Sequence, residues 1–127
     1  MIAYMLSLSM KRVQFIFDKN SDGDSDFADF LDSVPKKERT KLVSVIQKIQ
    51  EVGLQEAFKM QWAAKLEDNL YEIRTRIGKE YLRGIYFHLE ENQYVITHGF
   101  KKKTNKTPLK ELDRGRQRRD RFMENNN

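Results

Sequence analysis

The sequence contains no cysteine and only two histidines. Without cysteine the chain can form neither a disulfide framework nor a zinc site of the usual cysteine type, which suits a reducing compartment. Two histidines are too few for a credible histidine metal cluster, so we predict no metal and no other cofactor. The chain also lacks a Gly-rich phosphate loop and a serine nucleophile turn. These absences exclude the common motifs of nucleotide-binding proteins and serine hydrolases.

Residues 1–10 (MIAYMLSLSM) are apolar, too few to span a bilayer, and without the early positive charges of a signal peptide. We predict that they form a non-structural leader and that Met10 is an alternative start. The length of 127 residues suits one domain with a single core. We assign that domain to residues 11–123 and expect a frayed tail at residues 124–127. We expect a cytoplasmic protein that does not contact a membrane.

Charged residues are abundant, at 34% of the sequence, and their signs are unevenly distributed. Residues 1–64 hold nine Lys/Arg and nine Asp/Glu, whereas residues 65–127 hold fifteen and ten, so the net charge of +5 lies in the second half. Such an asymmetry is more typical of a protein whose partner carries phosphate groups than of one with a neutral partner. A well-solvated surface helix is the alternative interpretation.

Three runs rich in β-branched and aromatic residues, at 70–77, 81–89 and 93–100, are separated by Gly78 and by Glu90-Glu91-Asn92. This pattern predicts an antiparallel meander. Alternation along the first run places apolar side chains on one face and Glu72, Arg74 and Arg76 on the other. Residues 11–18 alternate in the same way and predict a first strand, which makes a four-stranded sheet.

Helical spacing of apolar residues predicts a short helix over 27–34 and a longer one that begins at Pro35 and stops at Gly53. Ser25 or Asp24 is the expected N-cap of the first helix. Residues 54–69 have no clear period and are interpreted as a packed connection. A last helix is predicted with Thr107 as N-cap, Pro108 in its first turn, and an apolar stripe formed by Leu109, Leu112, Gly115 and Phe122. The fold class is therefore α+β: a mostly antiparallel four-stranded sheet with an N-terminal helical hairpin on one face and a C-terminal helix.

Residues 18–29 (DKNSDGDSDFAD) approach the oxygen-ligand pattern of a calcium-binding EF-hand loop, with Gly23 at its sixth position. Three features oppose that interpretation. The twelfth position is Asp29 instead of a bidentate Glu, the eighth is the polar Ser25, and a strand precedes the loop where an EF-hand needs a helix. A solvated turn is the favoured interpretation, and a calcium-dependent interaction domain is the weakest functional alternative.

Metal-free cleavage of a phosphodiester needs cations that stabilise the transition state and groups that transfer protons. Residues of the right types lie on the predicted strands and on their exit loop: Arg74, Arg83, His98, Lys101 and Lys102. Each also has a structural interpretation. Arg83 can simply pair with Glu72, a histidine in a strand is usually a hydrogen-bonded structural residue, and lysines can simply be solvated.

Three segments, KLEDNLYEIR (65–74), YLRGIYF (81–87) and VITHGFKKKTNKTP (95–108), are followed by an arginine-rich helix. Together they resemble the phage-derived Gp49-like branch of the HigB toxins, within the RelE superfamily of ribonucleases. The resemblance extends from about residue 11 to 122, and HGFKKKTNKTP is its most specific part. Lys103 and Gly115 depart from the family pattern. The motif positions that carry over are Lys65, Arg74, Arg83, His98, Phe100, Lys101, Lys102, Thr104 and Pro108.

The resemblance implies a RelE-like fold and an mRNA interferase that cuts messenger RNA in the ribosomal A site. It also implies a HigA-type helix-turn-helix antitoxin as partner. The toxin would contact operator DNA only indirectly, through this antitoxin. On this reading Arg74 and Arg83 stabilise the transition state, His98 or a lysine of 101–103 transfers protons, and Tyr86 or Phe100 stacks on a base. A non-catalytic basic module that binds RNA or the ribosome is the main alternative. The expected RNA-binding residues are Lys65, Arg76, Tyr86, Phe100, Lys103, Thr104, Lys106, Arg118 and Arg121.

Overall fold

The computed structural model describes residues 11–126, and within them four helices and five strands form an α+β arrangement. The predicted leader at residues 1–10 lies outside the described residues. In chain order the elements are β1 (Gln14–Phe17), α1 (Asp26–Ser33), α2 (Lys36–Val52), α3 (Leu54–Lys59), β2 (Ala63–Glu67), β3 (Leu70–Ile77), β4 (Glu80–Glu90), β5 (Gln93–Lys102) and α4 (Leu109–Asn125).

The strands form one open sheet in the order β1-β5-β4-β3-β2, in which β1 runs parallel to β5 and every other pair is antiparallel. The predicted α+β class and mostly antiparallel sheet are confirmed, but the prediction of four strands was wrong. The additional strand is β2, whose sequence AAKLE consists largely of residues that strands disfavour. It pairs with β3, with Ala63 opposite Ile73, so a neighbouring strand supplies what local propensity does not.

Local capping signals define the ends of the first two helices. The Ser25 hydroxyl oxygen accepts a hydrogen bond of 3.1 Å from the Ala28 backbone N–H, which confirms the predicted N-cap of α1. Gly53 ends α2 at φ +93°, and its N–H donates to the Ile49 carbonyl at 2.8 Å. A residue with a Cβ is strained at such a φ, so glycine is the natural helix stop here.

Helices α1 and α2 pack on one face of the sheet and form the main core with it. Gly99 lets α1 approach closely, because a Cβ built there would lie 2.3 Å from the ring of Phe30. The buried residues of this core include Phe27, Leu31, Leu42, Ile46, Ile49, Ile73, Leu82, Tyr86 and Ile96.

Helix α4 packs on the opposite face. Leu112 packs against a smaller core of Leu70, Ile85 and Phe100, and a Cβ at Gly115 would come within 2.9 Å of Ile85. The predicted stripe is therefore correct for Leu112 and Gly115, whereas Leu109 is 67% exposed and does not belong to it. Across residues 11–126, no helix is both long and apolar enough to cross a membrane.

The start of α4 also differs from the prediction. Pro108 occupies the N-cap position, and no side chain caps the helix. Thr107 lies one residue before the N-cap, and its hydroxyl donates to the Glu72 carboxylate on β3. This contact fixes the loop before α4 to the sheet. At its other end α4 runs through Asn125, into the segment for which fraying was predicted.

Candidate functional site

Helix α4 covers one end of its face of the sheet, and a cationic cleft lies at the other end of the same face. Strand register places Arg74 opposite Arg83 and Arg83 opposite Phe100, so β3, β4 and β5 each contribute to this surface. The loop between β5 and α4 closes one side of it. The cleft has a volume of about 270 Å³ and is lined by Gln61, Arg74, Thr75, Arg76, Tyr81, Arg83 and Asn105.

One carboxylate lies between the two arginines beside the cleft. Glu72 is 4% exposed, and its Oε2 lies 3.5 Å from Nε of Arg74 and 3.4 Å from Nε of Arg83. Its Oε1 accepts the hydrogen bond from Thr107. Glu72 thus holds both guanidiniums, but a single negative charge cannot neutralise two positive ones.

Asn105 lies where three cationic side chains converge. Its side-chain oxygen accepts hydrogen bonds from Nη2 of Arg74 at 2.6 Å and from Nη2 of Arg83. Its backbone carbonyl accepts a hydrogen bond of 2.9 Å from Nζ of Lys102. An amide oxygen carries no net charge, so an anionic oxygen at this position would be held more strongly by the same donors.

Arg83 is held rigidly in this arrangement. Its side chain is 2% exposed, and its Nη1 donates to the backbone carbonyls of Thr75 at 3.2 Å and Leu82 at 3.0 Å. The guanidinium carbon lies 5.3 Å from the centre of the Tyr81 ring. Burial lowers the pKa of Arg83, opposed by the nearby Glu72. Because the ordinary pKa of arginine is so high, the group stays charged and presents its Nη2 to the cleft in one orientation.

Lys102 is the group beside the cleft with the clearest capacity to exchange a proton. Burial, with the neighbouring charges of Arg83 and Arg74, lowers its pKa to about 8, although Glu72 acts in the opposite direction. Its Nζ also lies 5.7 Å from the centre of the Phe100 ring. Near neutral pH a minor fraction of Lys102 is therefore the uncharged amine, which can accept a proton.

His98, the second residue predicted to transfer protons, lies beneath α4 and does not line the cleft. It is 1% exposed, its Nδ1 lies 2.8 Å from the Thr97 hydroxyl, and its Nε2 lies 3.5 Å from Glu111 of α4. Burial and the charges of Arg114 and Arg118 lower its pKa to about 3. His98 is thus a neutral, enclosed imidazole at physiological pH.

Two other predicted site residues lie on the opposite face of the sheet. The ammonium group of Lys101 is 3.0 Å from the carboxylate of Glu38 on α2. Tyr86 is fully buried in the main core, where its ring stacks on Tyr71 at 5.3 Å between centres and burial raises its pKa. Neither side chain shares the surface that Arg74, Arg83 and Lys102 form.

The predicted arginines of α4 form ion pairs with aspartates just after β1 and at the start of α1. Arg118 pairs with Asp26, and Nη2 of Arg121 lies 3.3 Å from Oδ2 of Asp18. These aspartates belong to the calcium-like segment, so arginines occupy carboxylates that a calcium ion would need. Within residues 11–126, no group of three or more His, Asp or Glu side chains is arranged to hold a metal.

The remaining predicted RNA-binding residues are dispersed. Lys65 on β2 lies 3.7 Å from Asp68, and Lys103 pairs with Glu80 beside the cleft. Thr104 and Lys106 are exposed in the loop after β5. Arg76 is exposed at the rim of the cleft, 4.7 Å from the Tyr81 ring.

Sequence reasoning missed Asn105 and Tyr81. Tyr81 could have been found, because a two-residue hairpin connection places it opposite Arg76, as the structure does. Asn105 stands inside the quoted segment HGFKKKTNKTP but has no periodic partner that would indicate its contacts. The pairing of Arg83 with Glu72, which the sequence offered as a structural interpretation, is confirmed.

The fold and the cleft define a small α+β domain that presents converging cations beside a single carboxylate. The family model described as Phage derived protein Gp49-like (DUF891) matches residues 29–120, more than half of the chain. The chain therefore belongs to the Gp49-like family, which is the family of the HigB-like toxins, and the resemblance seen in the sequence is confirmed. This membership suggests a toxin-antitoxin toxin. No curated protein sequence matches the chain significantly.

Proposed function

We propose that this protein is the toxin of a type II toxin-antitoxin system and acts as a ribosome-dependent mRNA interferase with a RelE-like fold. The observation that carries the proposal is the convergence of Arg74, Arg83 and Lys102 on one neutral residue, Asn105, beside the single carboxylate of Glu72. Such a cluster retains a net positive charge after internal pairing. A phosphate group of RNA has the charge and the acceptor oxygens that would satisfy it.

In the proposed reaction a ribose 2′-hydroxyl attacks the adjacent phosphorus and the bond to the 5′-oxygen breaks. The products are a 2′,3′-cyclic phosphate and a 5′-hydroxyl end. Arg74 and Arg83 would stabilise the negative charge that grows on the phosphoryl oxygens, with their geometry already fixed by Glu72 and by backbone carbonyls. The neutral form of Lys102 would accept the proton of the 2′-hydroxyl, and the leaving 5′-oxygen would take a proton from a loop lysine or from water.

The proposal gives the other cationic residues binding roles. Tyr81 would offer its ring near the reacting nucleotides, and Lys106 and Arg76 would neutralise flanking phosphates. Phe100 and Lys103 are not given these roles, because Phe100 is buried in the smaller core and Lys103 is paired with Glu80. Tyr86 and Lys101 are not included, because they lie on the opposite face of the sheet. The proposed partners are messenger RNA in the ribosomal A site and a HigA-type helix-turn-helix antitoxin, with operator DNA reached only through the antitoxin. The proposed location is the cytoplasm.

The decisive test compares Arg83→Ala with Arg116→Ala. Arg116 is also an arginine on this face, but it pairs with Glu67 and Asp113 on the side of α4, away from the cleft. Expression without antitoxin should arrest growth for the wild type and Arg116→Ala, and primer extension should detect cut messages in both. Arg83→Ala should lower the cleavage rate on the order of a hundredfold or more, as loss of one oxyanion donor does elsewhere.

Circular dichroism must show that Arg83→Ala remains folded, because the side chain is buried. If the wild type arrests growth while no message is cut, the ribonuclease proposal fails. A basic module that binds RNA or the ribosome and blocks translation without cleavage would then be the better description.

A further inference from the structure

A basic groove distinct from the cleft lies on the α2 side of the sheet, between α2 and the turn that joins β3 to β4. Three lysines of α2, Lys37, Lys41 and Lys48, share one exposed helix face because they lie four and seven residues apart. We call these three residues the α2 lysine stripe. The groove has a volume of about 640 Å³, and its other wall consists of Trp62, Arg76, Ile77 and Gly78.

The charge of this groove is not balanced internally. Among residues 11–126, no ammonium group of the α2 lysine stripe lies within ion-pair distance of a carboxylate. Lys41 donates to the backbone carbonyl of Arg76, and Nζ of Lys48 lies 5.6 Å from the centre of the Trp62 ring. The buried acid of the same helix, Glu38, faces Lys101 instead. The groove therefore presents three cationic side chains, and no carboxylate lies among its lining residues. Arg76 gives the groove its backbone carbonyl, because its side chain lies on the cleft face, over the Tyr81 ring.

The groove is continuous with the cationic cleft. Arg76 lines both of them. The neighbouring residues Gln61 and Trp62 line one each, and the Trp62 carbonyl accepts a hydrogen bond of 2.7 Å from the Arg74 N–H. The two basic surfaces thus meet at the sheet edge where β2 begins and β3 ends.

We propose that RNA bound in the cleft continues past Arg76 into this groove, where the α2 lysine stripe binds the phosphates of further nucleotides. This inference rests on the proposed function, because it assumes that the cleft holds RNA. From Lys37 to Lys48 the helix rises by roughly 16 Å, a length that matches several phosphates of an extended strand. The contacts are to the backbone, so they lengthen the bound segment without selecting its sequence.

The test is a triple variant with a charge-matched control. The test variant carries Lys37→Ala, Lys41→Ala and Lys48→Ala. The control carries Lys19→Ala, Lys59→Ala and Lys110→Ala, three exposed lysines that line neither the groove nor the cleft. Both variants lose the same net charge. Binding is measured over a range of salt concentrations with 2′-O-methyl oligoribonucleotides, which cannot be cleaved by 2′-hydroxyl attack, of about four and about sixteen nucleotides.

The wild type should bind the long oligonucleotide more tightly than the short one. The test variant should lose about tenfold in affinity for the long one at low salt, with a log–log salt slope lower by about two units, and bind the short one normally. The control variant should behave like the wild type. A wild type that binds both lengths equally, or two variants that behave alike, would overturn the inference.

A second arm, pelleting with ribosomes that carry no message, identifies the RNA. If the test variant loses oligonucleotide affinity, the groove binds the message. If it loses only ribosome binding, the groove contacts ribosomal RNA, and the inference that the cleft-bound strand continues into it is wrong. If the test variant binds oligonucleotides and ribosomes normally and loses only its binding to the antitoxin, the inference is wrong. Cleavage is assayed separately from binding. If the wild type binds RNA through the α2 lysine stripe but does not cleave it, the proposed function is contradicted and this inference still holds.

Discussion

The sheet face on which α4 packs has an α4 end and a cleft end. Both ends contain arginines and acids, but the acids neutralise the arginines more completely at the α4 end. At the α4 end the acids are at least as numerous as the arginines that they pair with: Arg116 has Glu67 and Asp113, Arg114 and Arg118 share Asp26 while Arg114 also has Glu111, and Arg121 has Asp18. At the cleft end, Arg74 and Arg83 share Glu72, and Lys102 lies beside them.

This difference separates cations that hold the fold together from cations that are available to a ligand. A guanidinium that has its own carboxylate gains little from a phosphate, because binding would first break the existing pair. A guanidinium that shares a carboxylate and is otherwise bonded to a neutral amide gains a full charge interaction. The composition of α4 alone, which is rich in arginine, gives no sign of this difference.

The largest expected effect comes from removing the shared acid. Glu72→Ala should lower the free energy of unfolding by about 3–5 kcal/mol, because it leaves the buried Arg83 without its counter-charge. Glu67→Ala, at the α4 end, removes a partly exposed partner of Arg116, whose ion pair is screened by solvent, and should cost far less. Urea unfolding of both variants measures the difference. Equal costs would show that the two ends are not electrostatically distinct.

The next effect concerns proton transfer. In the wild type the cleavage rate should rise with pH through about 8, because Lys102 loses its proton there and only the neutral amine can act as a base. Lys102→Met should lack this rise and cleave on the order of a hundredfold more slowly. Lys106→Met removes an exposed lysine from the same loop and should keep the wild-type pH profile. A wild-type rate that falls through this pH range would instead assign Lys102 a binding role as a cation.

His98 should affect stability more than catalysis. Its pKa in the folded protein, about 3, lies below the ordinary value of 6.5, so between these values the unfolded chain binds the proton that the folded protein excludes. His98 therefore makes the protein less stable as the pH falls through this window. His98→Gln should flatten the dependence of Tm on pH and cost about 1–3 kcal/mol. A folded His98→Gln variant that no longer cleaves would restore the catalytic role predicted from the sequence.

The smallest effect is expected for Arg121→Ala. Arg121 is 54% exposed and paired with Asp18, so the substitution should cost about 0–1 kcal/mol in stability. RNA affinity and its salt slope should change little, because the charge removed is already neutralised. A salt slope lower by about one unit would show that Arg121 contacts a phosphate after all, as its sequence position suggested.

Local patterns were sufficient for much of the fold. Alternation along residues 70–77 placed Glu72, Arg74 and Arg76 on one face, because successive strand residues point to opposite sides whatever the strand packs against. The Ser25 cap and the Gly53 stop depend on backbone groups a few residues away, so they too were readable in the sequence. The strand Ala63–Glu67 was not, because its residues have little strand preference and it exists through its pairing with β3.

The sequence by itself determined the residue types of the site and the strands that carry them. Only the tertiary structure decided which cations remain available. Arg121 and Asp18 are 103 residues apart in the chain, and Glu72 and Thr107 are 35 apart. Ion pairing depends on distance in space, and burial depends on where α4 docks, so no local pattern could show that His98 is enclosed while Arg74, Arg83 and Lys102 converge on Asn105.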